Sequence, residues 1–405
     1  MRSLDDCFLH DRDRLAHAEA LALLREGLVP PERTGETVPI AEALGCVLAA
    51  DVVAPFDLPG HTNAAVDGYA FAHPAPEAPV RVSQRVAAGG RAVPLVPGTA
   101  ARIFTGAAVP DGADTVAMQE DCALEDERVR LPPLKHGANV RRRGEDVRAG
   151  APVMAAGRRL RPADIATAAA FGLDRLSVRP PLRVTLLSSG NEVREGGALG
   201  AGEVHDANRP LLRAWMAHLP VRVRDGGIVP DDRGAVERAL ADAADTSDAV
   251  LTTGGASMGD EDHMLAALDR LGRRKAWQIA VKPGRPLMFG RIGDAAYLGL
   301  PGNPVAACVC FLLYARPVIL ALAGAGWDEP LRVSLSARFA VRSKPDRREF
   351  LRGILRADGV AKFARDGSGL LSSLREADGL IEVPEDVTEI AEGDPVSFIP
   401  WSSFL

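Results

Sequence analysis

The chain has 405 residues, of which 47% are apolar and 25% are charged, and its formal net charge at pH 7 is −6. This length exceeds one ordinary hydrophobic core and predicts about two to four domains. The composition is typical of a soluble globular protein, and the acidic balance gives no general basic field for a polyanion, so nucleic acid is excluded as a main partner.

The cysteines and the apolar segments indicate in which cellular compartment we expect the protein and whether it crosses a membrane. The five cysteines include no C-x-x-C pair, and Cys308 and Cys310 lie in an apolar run, which is typical of small buried thiols. The N-terminal segment lacks the apolar stretch of a secretion signal. The apolar run over 305–324 is interrupted by an Arg-Pro pair and begins at Asn303-Pro304 like a soluble helix. We therefore expect a cytoplasmic protein with no membrane span.

The first half of the chain contains two kinds of sequence pattern, one typical of helices and one typical of short strands. Leu15, Ala18 and Leu21 recur at helical spacing and "IAEALGCVLAADV" repeats the pattern, so we expect the first fifty residues to be helical. From Pro55 to about Asp146, short alternating runs such as "VRVSQRV" lie among Pro and Gly and predict a compact β-rich unit. A helix is then expected over "RPADIATAAAFGL", with its Pro in the first turn and its Gly at the end.

The second half begins at the boundary Pro180-Pro181. Apolar runs such as "RVTLLSS" and "DAVLTTGG" alternate with helical segments such as "DDRGAVERALADAA". This alternation predicts a doubly wound parallel sheet with helices on both faces. Beyond about Gly326 the segments "LRVSLSARFAV", "EFLRGIL" and "PVSFIPW" alternate with period two, which predicts a small β-barrel or sandwich without helices.

Four strand ends of the α/β unit lead into polar or glycine-rich turns. They are "SSGNE" (188–192), "VPDD" (229–232), "TTGGASMGDED" (252–262) and "GLPGNP" (299–304). Because the carboxyl ends of parallel strands meet at one sheet edge, we expect these turns to lie together and to bind an extended ligand that contains phosphate.

The residues of the last turn, "GLPGNP", predict how the following helix begins. Pro301-Gly302 forms the turn, Asn303 can cap the following helix and Pro304 occupies its first position. A helix that starts there points free amides and its positive end at an anion. A well-capped helix without a ligand is the alternative.

The segment "KPGRP" places two cations around a Pro-Gly turn. Lys282 and Arg285 are candidates for phosphate binding, and a solvated hairpin tip is the alternative.

Acidic residues accompany the glycine turns. Gly254 and Gly255 would let backbone amides approach an anion, yet three acids follow them at once. Each acid alone is a surface charge or a helix cap, and Asp231 and Asp232 precede a helix as cap candidates. Together they make sense if phosphate arrives with a hard cation such as Mg²⁺. The candidate acids are Asp67, Asp146, Glu192, Asp231, Asp232, Asp260, Glu261 and Asp262.

The β-rich region contains three polar stretches. "NAAVDGYA" centres on Asp67, "RIFTGAAVPDGADTVAMQED" exposes Thr105, and "VRRRGEDV" sets three arginines against Asp146. A solvated charged loop is the alternative for the arginines. H-E-x-x-H and Walker motifs are absent from the sequence, as is a G-x-G-x-x-G turn after the first α/β strand.

In their order along the chain, these motifs are similar to those of one family, the molybdopterin molybdenumtransferases, which comprise MoeA-type enzymes and the E domain of gephyrin. The similarity runs from about residue 15 to residue 400. It is carried by "VDGYA", "RIFTGAAVPDGADTV", "VRRRGEDV", "SSGNE", "HDANR", "TTGGASMGDEDH", "VKPGRPL", "GLPGNPVAA", "RREFLRG" and "LSSLREADGLIEVPED".

The resemblance implies an elongated, L-shaped subunit that forms a homodimer. Its parts would be an elongated helical and linker domain, a β-rich domain, a molybdopterin-binding α/β domain and a C-terminal β-barrel. Carried onto this chain, their bounds are 1–54 plus 147–178, 55–146, 179–327 and 328–405.

The resemblance also implies the reaction. Adenylylated molybdopterin and molybdate would be the substrates, and Mg²⁺-dependent cleavage of the adenylate would accompany insertion of molybdenum and release AMP. This is the last step of molybdenum cofactor biosynthesis, and a molybdopterin adenylyltransferase is a candidate delivery partner. The active cleft would lie between the α/β domain of one subunit and the β-rich domain of its partner.

The family's functional residues map onto this chain one by one. Catalytic positions match Asp67, Thr105, Asp146 and Glu192, and metal positions match Asp231 and Asp262, with Glu192 nearby. The substrate-binding positions match Gly254, Gly255, Lys282, Arg285, Pro301, Gly302, Asn303, Arg348 and Ser372 (or Ser373).

Three departures from the family pattern concern substrate contacts. "NAAVDGYA" replaces a commoner form with serine and methionine, Gln278 stands where some members have lysine, and His205 stands where tyrosine is common. Two other functions remain open from the residues: a molybdopterin adenylyltransferase or other nucleotide-processing enzyme on the α/β module, and a non-catalytic scaffold that grips peptides.

Overall fold

The computed structural model describes residues 14–26, 28–254 and 263–405. Its first half contains two short helices and thirteen strands within the described residues, and the strands are mostly brief. In chain order the elements are α1 (His17–Glu26), β1 (Glu36–Pro39), β2 (Val47–Leu48), β3 (Val52–Val53), β4 (Asn63–Ala64), β5 (Gly68–Phe71), β6 (Val80–Val86), β7 (Ala100–Ile103), β8 (Thr115–Met118), β9 (Ala123–Glu125), β10 (Arg128–Arg130), β11 (Val140–Arg141), β12 (Pro152–Met154), α2 (Pro162–Ala170) and β13 (Arg175–Arg179).

The prediction of helix throughout the first fifty residues is wrong beyond α1. "IAEALGCVL" forms a short 3₁₀ turn, Ile40–Glu42, and then strand β2. Gly45 has φ of +79°, a conformation that interrupts a helix. Strands β1 and β2 both pair with β13, and Leu48 packs with Leu176 in one core. Pairing with a distant strand therefore outweighs the local helical spacing.

The β-rich prediction for the following region is confirmed. Six strands form a sheet in the order β8-β5-β7-β6-β10-β9, with a core on each face. The predicted helix over "RPADIATAAAFGL" is also confirmed as α2, which has Pro162 in its first turn. Its capping box is closed by the Asp164 carboxylate, which accepts a hydrogen bond from the Arg161 N–H at 2.8 Å.

The α/β region follows as one continuous series of strands and helices. In chain order it contains β14 (Leu182–Ser189), β15 (Val193–Arg194), β16 (Val204–His205), α3 (Asn208–Met216), β17 (Val221–Val229), α4 (Arg233–Thr246), β18 (Ala249–Thr253), α5 (His263–Leu271), β19 (Gly272–Gln278), β20 (Val281–Lys282), β21 (Pro286–Ile292), β22 (Ala295–Leu300), α6 (Pro304–Cys310), a π-helical turn (Phe311–Ala315) and α7 (Arg316–Leu322).

The sheet of this region is mixed rather than wholly parallel, which corrects the prediction. Its order is β17-β14-β18-β22-β21-β19; the first four strands are parallel to one another, and β21 runs antiparallel to both of its neighbours, β22 and β19. Only the two residues between Ile292 and Ala295 join β21 to β22. A connection this short forms a hairpin, since a parallel pair needs a crossover of a dozen or more residues.

The C-terminal part is built around a sheet in the order β20-β25-β27-β29-β23, so β20 of the α/β region joins it. One helix, α8, occurs where the sequence predicted none. The elements are β23 (Val333–Ser336), β24 (Val341–Arg342), β25 (Arg348–Arg356), β26 (Gly359–Lys362), α8 (Leu371–Glu376), β27 (Gly379–Val383), β28 (Glu389–Ile390), β29 (Pro395–Pro400) and a closing 3₁₀ turn (Trp401–Phe404).

The helical run Pro304–Leu322 is long and apolar enough to cross a membrane by length and composition. However, 94% of its most apolar window is buried inside the protein. Its side chains form the centre of the largest core, together with residues of β14, β18, β22 and the C-terminal sheet. The run is therefore a central core helix, and its first residue stands at the edge of the α/β sheet.

Arg316 ties this core helix to the C-terminus. It is 2% exposed; its Nε donates to the carbonyl of Phe404 at 3.1 Å, and its Nη2 donates to the Asp328 carboxylate at 2.6 Å. Trp215 and Trp401 pack beside Phe404.

We expect Arg316→Met to lower the free energy of unfolding by about 2 kcal/mol, because a buried carbonyl loses its donor and a charge-assisted bond is lost. Thermal unfolding followed by tryptophan fluorescence measures it. Arg375→Met is the matched control, since Arg375 is 78% exposed in its pair with Glu376 and should change stability by less than about 0.5 kcal/mol. Equal midpoints for the two variants would contradict the assignment.

Candidate active site

A cleft of about 1160 Å³ lies at the carboxyl ends of the four parallel strands. Ser188 of β14 pairs with Thr253 of β18, which pairs with Leu300 of β22, so the turns after these strands begin at the same level. The prediction that the four strand-end turns meet at one edge is confirmed for their described residues. Those turns contribute Ser189, Glu192, Asp231, Gly254, Pro301, Gly302 and Asn303 to the lining.

Asp231 is fixed by the neighbouring turn. Its two carboxylate oxygens accept hydrogen bonds from the Ser189 hydroxyl and from the Asn191 N–H, each at 3.0 Å. In return, the Asn191 side-chain oxygen accepts from the Asp231 N–H at 3.1 Å. Asp232 instead caps α4 by accepting from the Ala235 N–H at 2.8 Å. Of the two adjacent aspartates, Asp231 belongs to the cleft and Asp232 to the helix.

Glycine is required where two of the turns approach each other. Gly254 has φ of +85°, and a Cβ there would lie 2.4 Å from the carbonyl oxygen of Ser189. A Cβ on Gly302 would lie 3.6 Å from the Cα of Gly254, an ordinary van der Waals contact, so the close approach requires glycine at 254 rather than at 302. The backbones of the turns after β14, β18 and β22 therefore pack directly against one another, which leaves room for a ligand to approach their amides.

The core helix begins at the cleft, as the sequence predicts, but its cap differs from the expectation. Asn303 occupies the N-cap position and Pro304 the first turn, yet the Asn303 side chain makes no capping bond to the described residues. The Val305 N–H donates at 2.9 Å to the carbonyl of Ser368, which belongs to the C-terminal part. The helix start is thus held partly by that part, and its positive end faces the cleft.

Lys282 and Arg285 both line the cleft. The Lys282 ammonium donates to the Glu349 carboxylate at 3.2 Å, and Arg347 contacts the same carboxylate at 2.5 Å. Burial alone would raise the pKa of Glu349, but the hydrogen bonds from Arg347 and Lys282 lower it below its usual value. The ionised carboxylate of Glu349, on β25, therefore orients the cations of Lys282 and Arg347 at the cleft wall.

Arg352 was missed by the sequence reasoning. It lines the cleft from β25, is only 4% exposed, and donates through Nη1 to the Phe350 carbonyl at 3.2 Å. Its Nε has no hydrogen-bond partner, and the guanidinium forms no salt bridge within the described part of the chain. Burial lowers the pKa of Arg352. The cleft thus contains a buried cation suited to a ligand anion.

The two residues carried over from the C-terminal tail lie elsewhere. Arg348, four residues before Arg352 on the same strand, donates to the carboxylates of Glu382 and Glu385, at 2.7 Å each. Ser372 lies on α8 outside the lining, whereas Ser368 belongs to it. Positions four apart on a strand share one face, so period-two alternation alone could not distinguish Arg348 from Arg352.

The β-rich sheet brings two of its three candidates together. One Asp67 carboxylate oxygen accepts from the Thr105 N–H at 2.8 Å and from its hydroxyl at 2.7 Å. These two hydrogen bonds hold the pKa of Asp67 below its usual value, and the bond from the Thr105 N–H has the larger effect. Asp146 is exposed and its N–H donates to the Leu58 carbonyl at 3.1 Å. None of the three lines the cleft of this chain.

Four predicted site residues, Gly255, Asp260, Glu261 and Asp262, lie outside the described residues. The remaining geometry is that of an α/β protein suited to an extended anionic ligand: glycine turns, a helix start and cations surround one sheet edge that also carries the carboxylates of Glu192 and Asp231.

Comparisons with known proteins cover almost the whole chain. Residues 15–172 match the MoeA N-terminal region (domain I and II), residues 185–321 match a probable molybdopterin binding domain, and residues 334–401 match the MoeA C-terminal region (domain IV). A molybdopterin molybdenumtransferase of Haemophilus influenzae is 33% identical over 96% of this chain and 98% of its own length. A molybdopterin molybdenumtransferase 2 of Mycobacterium tuberculosis is 35% identical over 88% and 93%.

Solved structures agree with the sequence relatives. A molybdopterin biosynthesis MoeA protein of Pyrococcus horikoshii aligns with a TM-score of 0.83 at 27% identity, covering 96% of this chain and all of that one. The chain therefore belongs to the MoeA family. It is an enzyme of that family, with a multidomain fold of mixed sheets and a role in molybdenum cofactor biosynthesis.

Proposed function

We propose that this enzyme inserts molybdenum from molybdate into adenylylated molybdopterin, with Mg²⁺-dependent cleavage of the adenylate and release of AMP, as the last step of molybdenum cofactor biosynthesis. The observation that carries the proposal is the gathering of phosphate-type turns, cations and two carboxylates in one cleft. The names of the curated relatives support the same reaction class.

The anionic groups of the substrate would bind along the glycine turns. The start of the core helix at Asn303 and the amides around Gly254 provide N–H donors and a positive dipole end. Lys282, Arg285 and Arg352 add full charges to the lining of the same cleft, where Arg352 is buried enough to interact strongly. An extended ligand with phosphates and a ring system would contact both the glycine turns and these cations.

The acids of the cleft fit a magnesium ion. Mg²⁺ is usually held by one or two carboxylates plus water and substrate phosphate oxygens, and Asp231 and Glu192 provide such carboxylates. Within the described residues no larger cluster of His, Cys, Asp and Glu side chains forms a metal site. We propose Asp262 as the third acid. When bound, Mg²⁺ would neutralise phosphate oxygens and stabilise the departing AMP.

The β-rich domain would complete the site in a homodimer. Asp67, Thr105 and Asp146 lie outside the cleft of their own chain, and we propose that they face the cleft of the partner subunit to position molybdate or the attacking oxygen. The same proposal includes an L-shaped subunit, closure of the C-terminal sheet into a barrel, a cytoplasmic location and delivery of substrate by a molybdopterin adenylyltransferase.

AMP release from adenylylated molybdopterin, with and without molybdate and Mg²⁺, tests this function. We expect AMP only with Mg²⁺, together with conversion of molybdopterin to the molybdenum cofactor when molybdate is added. Adenylylation of molybdopterin by ATP, with no AMP release from the adenylylated substrate, would instead identify an adenylyltransferase. Absence of both reactions would favour a non-catalytic scaffold.

A further inference from the structure

Asn208, the first residue of α3, has a side chain that lies between two of the ligand-binding turns. We infer that Asn208 is a positioning residue: its amide nitrogen fixes the spacing of the turns after β18 and β22, and its amide oxygen accepts a hydrogen bond from an N–H group of the ligand. The identification of that ligand as the pterin rests on the proposed function, whereas the fixing of the turns does not.

The amide nitrogen makes two hydrogen bonds that cross from one turn to the other. Nδ2 of Asn208 donates to Oγ1 of Thr253 at 2.8 Å and to the carbonyl oxygen of Gly302 at 2.6 Å. The Thr253 hydroxyl uses its own proton to donate to the Pro301 carbonyl at 3.1 Å. Every donor in this group is therefore used once, and both turns are held to a single side chain.

Asn208 is itself held by the turn that follows β16. One oxygen of Asp206 accepts from the N–H groups of Asn208 and Arg209, at 3.1 and 3.0 Å. The other accepts from the hydroxyl of Ser188, at the end of β14, at 2.5 Å. Three strand ends, of β14, β18 and β22, are thus connected through Asp206 and Asn208 to the start of α3.

The amide oxygen is the remaining polar atom of this side chain. Asn208 is 8% exposed and lines the cleft, and its Oδ1 has no hydrogen-bond partner within the described residues. A buried acceptor without a donor is costly, so a ligand N–H that reaches Oδ1 would bind favourably there. Phosphate and molybdate oxygens carry no N–H group, whereas a pterin offers amino and ring N–H groups and the adenine of the proposed substrate offers an amino group; the proposed function assigns the contact to the pterin.

Three variants separate the two roles of Asn208. Asn208→Ala removes both amide atoms, and Asn208→Asp keeps an oxygen at Oδ1 but replaces the donating nitrogen. Thr253→Val removes one crossing bond and leaves the Asn208 oxygen in place. Thr185→Val is the matched control, because Thr185 is 1% exposed and shares a buried hydrogen bond of 2.6 Å with Ser247 in the same sheet, away from the cleft.

Amide hydrogen exchange of the ligand-free proteins tests the fixing of the turns. We expect exchange over 252–254 and 302–303 to be faster by about tenfold in Asn208→Ala and Asn208→Asp and by less in Thr253→Val. No change is expected in Thr185→Val. Wild-type exchange in both Asn208 variants would overturn the inference, and the measurement requires no substrate.

Steady-state kinetics with adenylylated molybdopterin test the ligand contact. We expect the KM of Asn208→Ala to rise about tenfold or more, and above that of Thr253→Val, with a smaller change in kcat. An unchanged KM in Asn208→Ala would overturn the role of Oδ1. If the wild-type enzyme releases no AMP, the proposed function fails, and the exchange comparison still decides whether Asn208 fixes the turns.

Discussion

Asp231→Asn is expected to reduce kcat for AMP release by about 100-fold or more at wild-type Mg²⁺ concentrations. Asparagine has nearly the same size and can still accept one of the two hydrogen bonds that Ser189 and the Asn191 N–H donate, so the turn should persist. The lost quantity is the negative charge, which in our proposal holds the metal beside the phosphates. AMP release across a Mg²⁺ titration measures both the rate and the apparent metal affinity.

The neighbouring residue provides the control for this variant. Asp232 caps α4 through the Ala235 N–H, and asparagine is as good an N-cap as aspartate, so Asp232→Asn should change kcat by less than about twofold. The two variants remove the same charge one residue apart. Wild-type rate and metal dependence in Asp231→Asn would remove this residue from the metal site, and equal losses in both variants would indicate a general electrostatic effect.

The α/β part of the fold was predictable because its signals are local and repeated. Each apolar run ends in a glycine-rich or acidic turn, and parallel strands place such turns at one edge whatever their exact order. The strand direction of β21 was not predictable in this way, since the short turn before β22 has to be recognised as a hairpin. The strand that starts at Val47 was missed because its partner, β13, lies more than a hundred residues away.

The candidate site was predictable to the extent that its residues follow strand ends. Glu192, Asp231, Gly254 and Gly302 meet this condition and line the cleft. Asn208 lies inside a helical segment, and its role depends on hydrogen bonds to two turns far along the chain, for which the sequence contains no periodic signal.

The residues that the C-terminal part contributes to the cleft were also not predictable from the local sequence pattern. Strand β20 leaves the α/β region and pairs with β25, which brings Arg352 to a cleft formed by residues about 50 to 160 positions earlier. A motif such as "EFLRG" identifies a strand with arginines nearby, but only the pairing of that strand determines which arginine reaches the ligand.

Arg352→Met and Arg348→Met are expected to have opposite consequences, although both arginines stand on β25. Arg352 has only one backbone hydrogen bond and no salt bridge within the described residues, and the carboxylate that acts on it, Asp366, pairs with Lys362 at 2.9 Å. Its burial lowers its pKa, which means that the folded protein disfavours the charge when no ligand is bound. Removing it should therefore leave the free energy of unfolding unchanged or raise it by about 1 kcal/mol.

The same change should weaken substrate binding. A charge-assisted hydrogen bond to a phosphate oxygen contributes about 1.5–3 kcal/mol, so the KM for adenylylated molybdopterin should rise roughly 10- to 150-fold in Arg352→Met. Arg348→Met should instead leave KM within about threefold and lower stability by about 2 kcal/mol, because Glu382 is 5% exposed and loses a charged donor. Thermal unfolding and steady-state kinetics on both variants decide the matter. A lower stability with unchanged KM in Arg352→Met would make that arginine a structural residue, and a raised KM in Arg348→Met would return the substrate contact to the position that the family resemblance first indicated.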